Sequence, residues 1–293
     1  MNPPALVGGR LDGTLLNSQG TISSNNIQAI RQVMENHHIV AIATGRTYFG
    51  VRSLLQSRLT LPVIASNGAT IHSQEGSLIG ETVLDRQTAK KIIDYLLEQH
   101  MYFEITTDKQ LLIPSYGEQE LKSELEQLKK KTPNMDENTL WQKALNQFAQ
   151  AGISPLNDLK TLLDRPTPIY KILTFSYNSD LLLQAMTHFA SDSSVRLTSS
   201  SSPVIEFISP KIDKGVGVLT LANQYHIHRE DIIVIGDNLN DLSMFQIAHT
   251  KVVMMNAPSD LKKISTYITR SNDEDGVAFA LRCQLGLVEK KSR

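Results

Sequence analysis

Five short polar stretches carry the residue types on which chemistry could rest. They are Arg10-Leu11-Asp12-Gly13-Thr14, Thr44-Gly45-Arg46, Asn67-Gly68, Lys214-Gly215 and Gly236-Asp237-Asn238-Leu239-Asn240-Asp241. Four of the five follow an apolar run, and open α/β sheets place their chemistry in the crevice beyond the carboxyl ends of such strands. The glycines from Gly8 to Gly13 invite a phosphate-cradling loop of a nucleotide fold. That reading fails on spacing: Thr14 stands where G-x-x-x-x-G-K-[ST] needs lysine, and Arg10 breaks G-x-G-x-x-G. Taken singly, Asp237 and Asp241 would suit a solvated loop or the first turn of a helix.

The elements that must position these stretches are legible on either side of them. Ala5 to Val7, Ile39 to Ala43 and Pro62 to Ala65 read as strands, the second apolar throughout, as a strand buried on both faces is. Ser23 is placed to cap a helix carrying Ile27, Ile30, Val33 and Met34 at helical spacing. Tyr48 to Ser57 is a second helix, and Ala69 to His72 with Leu78 to Val83 a hairpin. The alternation returns after Lys214. Helices are expected over Gly215 to His226, Leu239 to Ile247 and Asp275 to Leu287, with strands over Asp231 to Ile235 and Lys251 to Met255.

The middle of the chain has a different texture. Helices are expected over Gln87 to His100, Gly117 to Lys131, Trp141 to Ala149, Leu156 to Leu163 and Ser179 to Ala190. Strands are expected over Tyr102 to Thr106, Gln110 to Ile113 and Ile169 to Phe175, with a hairpin of Val195 to Thr198 and Val204 to Ile208 across the loop from Ser199. The simplest architecture is an α/β fold: a doubly wound, Rossmann-like core of residues 1–83 and 210–293, with an α+β domain of residues 84–209 inserted.

Composition narrows the function classes. The 293 residues suffice for two ordinary domains, and 41% hydrophobic with 20% charged residues is a globular composition. A net charge of −1 with no basic run leaves no electrostatic footprint for nucleic acid and no polybasic membrane patch. No apolar run approaches the roughly 18 residues a membrane span requires. Cys283 is the single cysteine, so an intramolecular disulfide and a thiolate metal cluster are excluded. A cytoplasmic setting follows as the expectation, with Cys283 read as a small buried hydrophobe.

The ordered set R-L-D-G-T-L-L, A-T-G-R, S-N-G-A, K-G and G-D-N-x-N-D resembles the haloacid dehalogenase (HAD) superfamily over essentially the whole chain. More narrowly, it is similar to the Cof-type phosphatases, which insert a large α/β cap between the second and third motifs. The resemblance implies a Mg²⁺-dependent hydrolase of small phosphomonoesters, such as sugar phosphates or a phosphorylated cofactor. It implies Asp12 as acid/base, Thr14, Thr44, Gly45 and Lys214 around the phosphoryl group, and Asp237, Asp241 and Asp12 at the metal. Arg46, Asn67, Asn240 and Asn256 fall where the family places substrate-side polar groups. The inserted domain would close over the crevice and choose the substrate.

The chain departs from the family at one position. Family members carry a nucleophilic aspartate where this chain has Arg10. Arginine stays protonated and offers no lone pair for attack. A guanidinium there is expected to pair with Asp237 or Asp241, and Asp12 is too far along the chain to replace the nucleophile. Gly8 and Gly9 depart as well, because the family fills that strand with bulky apolar residues. One inserted and one deleted base convert codons for Val-Ala-Val-Asp-Leu into Val-Gly-Gly-Arg-Leu, so a compensated pair of frameshifts would account for all three changes together. Two readings follow: a phosphatase whose turnover is lost at Arg10, and a non-catalytic protein that binds phosphate esters.

Overall fold

A computed structural model describes residues 4–56, 58–156, 159–199 and 203–286. The expected helix ends at Ser57 and Leu287, and the serine loop beyond Ser199, fall outside the described residues. The chain divides into two compact units, Met1–Glu81 with Asp213–Arg293, and Thr82–Ile212.

In chain order the first segment runs β1 (Leu6–Arg10), α1 (Ser24–Glu35), β2 (Ile39–Ala43), α2 (Tyr48–Leu55), β3 (Val63–Ala65), β4 (Thr70–His72) and β5 (Leu78–Glu81). The second unit holds α3 (Arg86–Glu98), β6 (Tyr102–Thr106), β7 (Leu111–Ile113), α4 (Gly117–Lys131), α5 (Glu137–Phe148) and β8 (Ile153–Pro155). It continues with α6 (Leu159–Asp164), β9 (Lys171–Phe175), α7 (Ser179–Phe189), β10 (Arg196–Thr198) and β11 (Val204–Ile208). The chain then adds α8 (Lys214–Gln224), β12 (Ile232–Gly236), α9 (Leu242–Ile247) and β13 (Thr250–Val253). It closes with α10 (Ser259–Lys263), β14 (Tyr267–Ile268) and α11 (Gly276–Gln284).

The first unit is built on an eight-stranded sheet of order β14-β13-β12-β1-β2-β3-β4-β5. Strands β14 through β3 are parallel, and the β4–β5 hairpin closes one edge antiparallel. Alternate side chains feed opposite faces, so β1 sends Val7 toward α1 and α11 and Leu6 toward α8 and α9. This two-sided burial is why the parallel strands read as unbroken apolar runs. Strand order reverses at β1, which lies between β12 and β2, and a doubly wound sheet opens its crevice at that point.

Several local expectations shift for identifiable reasons. The first strand extends to Arg10, because Gly8 and Gly9 pair with Val234 and Ile235 on one side and Ala41 and Ile42 on the other. The helix expected from Leu156 begins at Leu159 as the short α6, and an unexpected edge strand, β8, ends just before the expected start. Helix α5 starts a turn before Trp141, where the Asp136 side chain accepts from the Thr139 N–H. Cys283 is exposed on α11 and not buried as expected. Its position turns away from the face that packs Val277, Ala278 and Leu281. Among the described residues no helix is long and apolar enough to cross a membrane.

Gly9 leaves a gap. An apolar cavity of about 20 Å³, walled by Val7, Leu15, Ile30, Leu61 and Ile235, opens beside it. A Cβ built on Gly9 meets only the Ala41 carbonyl oxygen, at 3.9 Å. Gly9→Val is therefore expected to raise unfolding free energy by about 1–2 kcal/mol, through strand propensity and filled volume. Urea denaturation at constant m-value checks this; an unchanged or lower midpoint refutes it.

The second unit has a six-stranded sheet of order β10-β11-β9-β6-β7-β8. Helices α3 and α7 cover one face and α4 and α5 the other. The second face also buries charge: Lys171 donates to Glu206 at 2.6 Å, and Glu104 accepts from Tyr102 at 2.8 Å and from Gln150. Burial, with Glu206 nearby, pushes Glu104 up to about 7, against the pull of Tyr102, Lys171 and Gln150. Between its ordinary value and about 7 the folded state therefore holds a proton that the unfolded chain has lost. Stability should fall as pH rises through that window, by roughly 2 kcal/mol between pH 5 and 7. Denaturant titrations across that range should show the slope, and Glu104→Gln should flatten it.

Candidate active site

The first motif forms a turn because its leucines are held inside and its polar residues are not. Leu11, Leu15 and Leu16 are buried in the α1–α11 layer, and the Leu16 N–H donates to the Leu11 carbonyl at 2.9 Å. Gly13 adopts φ 72°, a conformation that favours glycine, and a Cβ there would collide with the Asp237 carboxylate. The Asn256 side-chain amide donates to the Gly13 carbonyl at 2.9 Å and pins the turn. Thr14 points inward, and its hydroxyl donates to Asp237 Oδ1 at 2.7 Å.

Helix α8 brings Lys214 in from the other face. Asp213 caps it, its carboxylate accepting from the N–H groups of Gly215 (2.7 Å) and Val216 (3.1 Å). Gly215 lets α8 approach α9, since a Cβ there would collide with the Ser243 carbonyl oxygen. Lys214 Nζ donates to Asp241 Oδ1 at 2.8 Å and to Asn240 Oδ1 at 3.4 Å. Asp241 is wholly buried and also accepts the Asp237 and Asn238 N–H groups, at 3.3 and 3.2 Å.

Arg10 lies at the end of β1, opposite Ala43, and is 8% exposed. Its Nη1 stands 3.3 Å from Asp237 Oδ1 and 3.5 Å from Asp241 Oδ2, so the expected pairing takes both carboxylates at once. Burial pushes the Asp237 carboxyl up, opposed by the Arg10 charge and the Thr14 hydroxyl. Asp12 does not join this group. Its carboxylate is held by Arg46, with Nη2 to Oδ1 at 2.6 Å and Nε to both oxygens at 3.1 Å, in a half-exposed pair.

The remaining residues distribute around the same loops. The Thr44 N–H donates to the Ile64 carbonyl, and its hydroxyl accepts the Arg46 N–H at 3.2 Å. Asn67 adopts φ 62° and donates its N–H to the Thr44 carbonyl, with its amide close beside Gly45. Asn256 is engaged on both sides, since it also accepts from the Asn272 N–H at 3.1 Å. Asp213 and Asn272 were missed from sequence. For Asp213 the signal was present, an aspartate directly before a helix start.

The donor set tests whether a divalent cation suits this chain. Mg²⁺ demands an octahedral oxygen shell at roughly 2.0–2.1 Å. Here a guanidinium and an ammonium occupy the carboxylates of Asp237 and Asp241, and Arg46 occupies that of Asp12. Among the described residues no three His, Cys, Asp or Glu side chains come together in a metal-holding group. The residues present do not fit Mg²⁺.

Known proteins are similar to this chain in sequence and fold. The sequence pattern of haloacid dehalogenase-like hydrolases matches residues 10–281. A Bacillus subtilis protein named 5-amino-6-(5-phospho-D-ribitylamino)uracil phosphatase YwtE is 43% identical over 269 residues, covering 92% of this chain and 94% of that one. Phosphatase YwpJ of the same organism is 34% identical over 93% of this chain and 96% of its own length. A solved haloacid dehalogenase-like hydrolase from B. subtilis superposes with a TM-score of 0.82 at 34% identity, covering 95% of this chain and 99% of that one.

Proposed function

Because the chain belongs to the haloacid dehalogenase-like hydrolases, we propose that its crevice recognises small phosphomonoesters and that Arg10 halts the attack step. The observation that carries this reading is the guanidinium 3.3 and 3.5 Å from Asp237 and Asp241, in the seat of the family's attacking carboxylate. An aspartate in that seat attacks phosphorus and releases the alcohol, and water then cleaves the acyl phosphate. A guanidinium has no lone pair with which to begin.

The other roles follow the site as it stands. Asp12 is the acid/base for the leaving oxygen, oriented by Arg46 until an ester arrives. Thr14, Thr44, Gly45 and Lys214 surround the phosphoryl group, while Arg46, Asn67 and Asn240 face the rest of the substrate and Asn256 holds the turn that carries Asp12. Residues 82–212 form the substrate-selecting cap. The name of the B. subtilis relative YwtE favours a phosphorylated metabolite of the ribitylaminopyrimidine class.

The test is a panel of phosphomonoesters, including a phosphorylated ribitylaminouracil, assayed with the chain as it stands and with Arg10→Asp in Mg²⁺. Phosphate release by the variant alone supports the reading. Turnover with Arg10 in place overturns it.

A further inference from the structure

We propose that the Arg10 guanidinium is a built-in counter-ion: it excludes Mg²⁺ from this site and lets a phosphoryl dianion bind without metal. The first half stands on the geometry alone, and the second rests on the phosphomonoester reading above.

Three carboxylates, Asp12, Asp237 and Asp241, meet three cations, Arg46, Arg10 and Lys214, so the paired groups sum to zero. With aspartate at position 10, four carboxylates would face two cations and leave a charge of −2, which a divalent ion neutralises. The chain without metal thus matches the net charge of an aspartate-bearing site that has bound Mg²⁺. Adding Mg²⁺ here would leave +2 uncompensated beside a buried guanidinium, which a low-dielectric site strongly disfavours.

Geometry agrees. Asp241 has no exposed surface and its oxygens already meet Lys214, Arg10 and two backbone N–H groups. Asp237 Oδ1 takes both Thr14 and Arg10. Arg10 itself is only partly used. Nη1 makes both carboxylate contacts, and among the described residues Nε and Nη2 donate to no protein group. Those two N–H directions form the fork that holds two oxygens of a phosphate.

The experiment uses MgCl₂ alone and inorganic phosphate as probes of the full chain, by calorimetry and thermal shift. With Mg²⁺ alone, the chain should show no binding heat and no midpoint shift, while Arg10→Asp binds Mg²⁺. Arg10→Asn serves if the aspartate variant does not fold. With phosphate, affinity of the chain should change less than twofold between EDTA and Mg²⁺, and Arg10→Lys should weaken it about tenfold by losing the fork. Saturable Mg²⁺ binding by the chain, equal to that of the variants, overturns the counter-ion assignment. Phosphate binding by no form in any buffer would instead overturn the anion-site reading, with the Mg²⁺ arm still deciding the role of Arg10.

Discussion

Arg10→Asp is expected to raise phosphomonoesterase turnover from background by on the order of 10⁴–10⁶ in kcat, the scale at which removing a covalent nucleophile disables an enzyme. That corresponds to roughly 5–8 kcal/mol of barrier. On the proposed reading one substitution suffices, since it leaves the other groups of the site unchanged. The Asp12 carboxylate is oriented by Arg46, Thr14 and Lys214 are buried beside the seat, and Asn256 fixes the turn. Arg10→Asn is the control, since it removes the guanidinium without supplying a nucleophile and should stay inactive. Phosphate release measured for all three forms decides the matter; equal rates in the asparagine and aspartate variants would defeat the nucleophile assignment. The aspartate variant should also need Mg²⁺ for full stability, because three carboxylates then converge where a cation stood.

Lys214→Met is expected to cost about 3 kcal/mol of folding stability. Asp241 is completely buried, and the ammonium at 2.8 Å is its nearest cation, with Arg10 more distant at 3.5 Å. Removing one partner of a buried pair leaves an uncompensated charge, whereas removing both costs far less. The double variant Lys214→Met with Asp241→Asn should therefore recover a large part of the loss. Urea denaturation of the two variants checks this, and identical midpoints would show that the pair carries no coupling.

The contrast between these two sites and the surrounding fold shows how far local chemistry reaches. Unbroken apolar runs at Ile39 to Ala43 and Ile232 to Ile235, with helical spacing from Ile27 to Val33, specify parallel strands packed on both faces by helices. Ser23 accepts the Asn26 N–H as its position before the helix implies. These features are legible because they depend on neighbours within a few residues. The order of polar stretches likewise pointed to one crevice, and the expected pairing of Arg10 with the distant acids is present in the structure.

Only the tertiary structure decided how charge is shared. Asp12 turns to Arg46 and away from the acids of the last motif, and Asp241 loses all contact with solvent. The void beside Gly9, the exposed Cys283 and the raised Glu104 are of the same kind. Each depends on which atoms from distant parts of the chain exclude water from a given point. Periodicity and spacing along the backbone determine which way a residue faces; desolvation and ion pairing depend on what arrives from elsewhere to meet it.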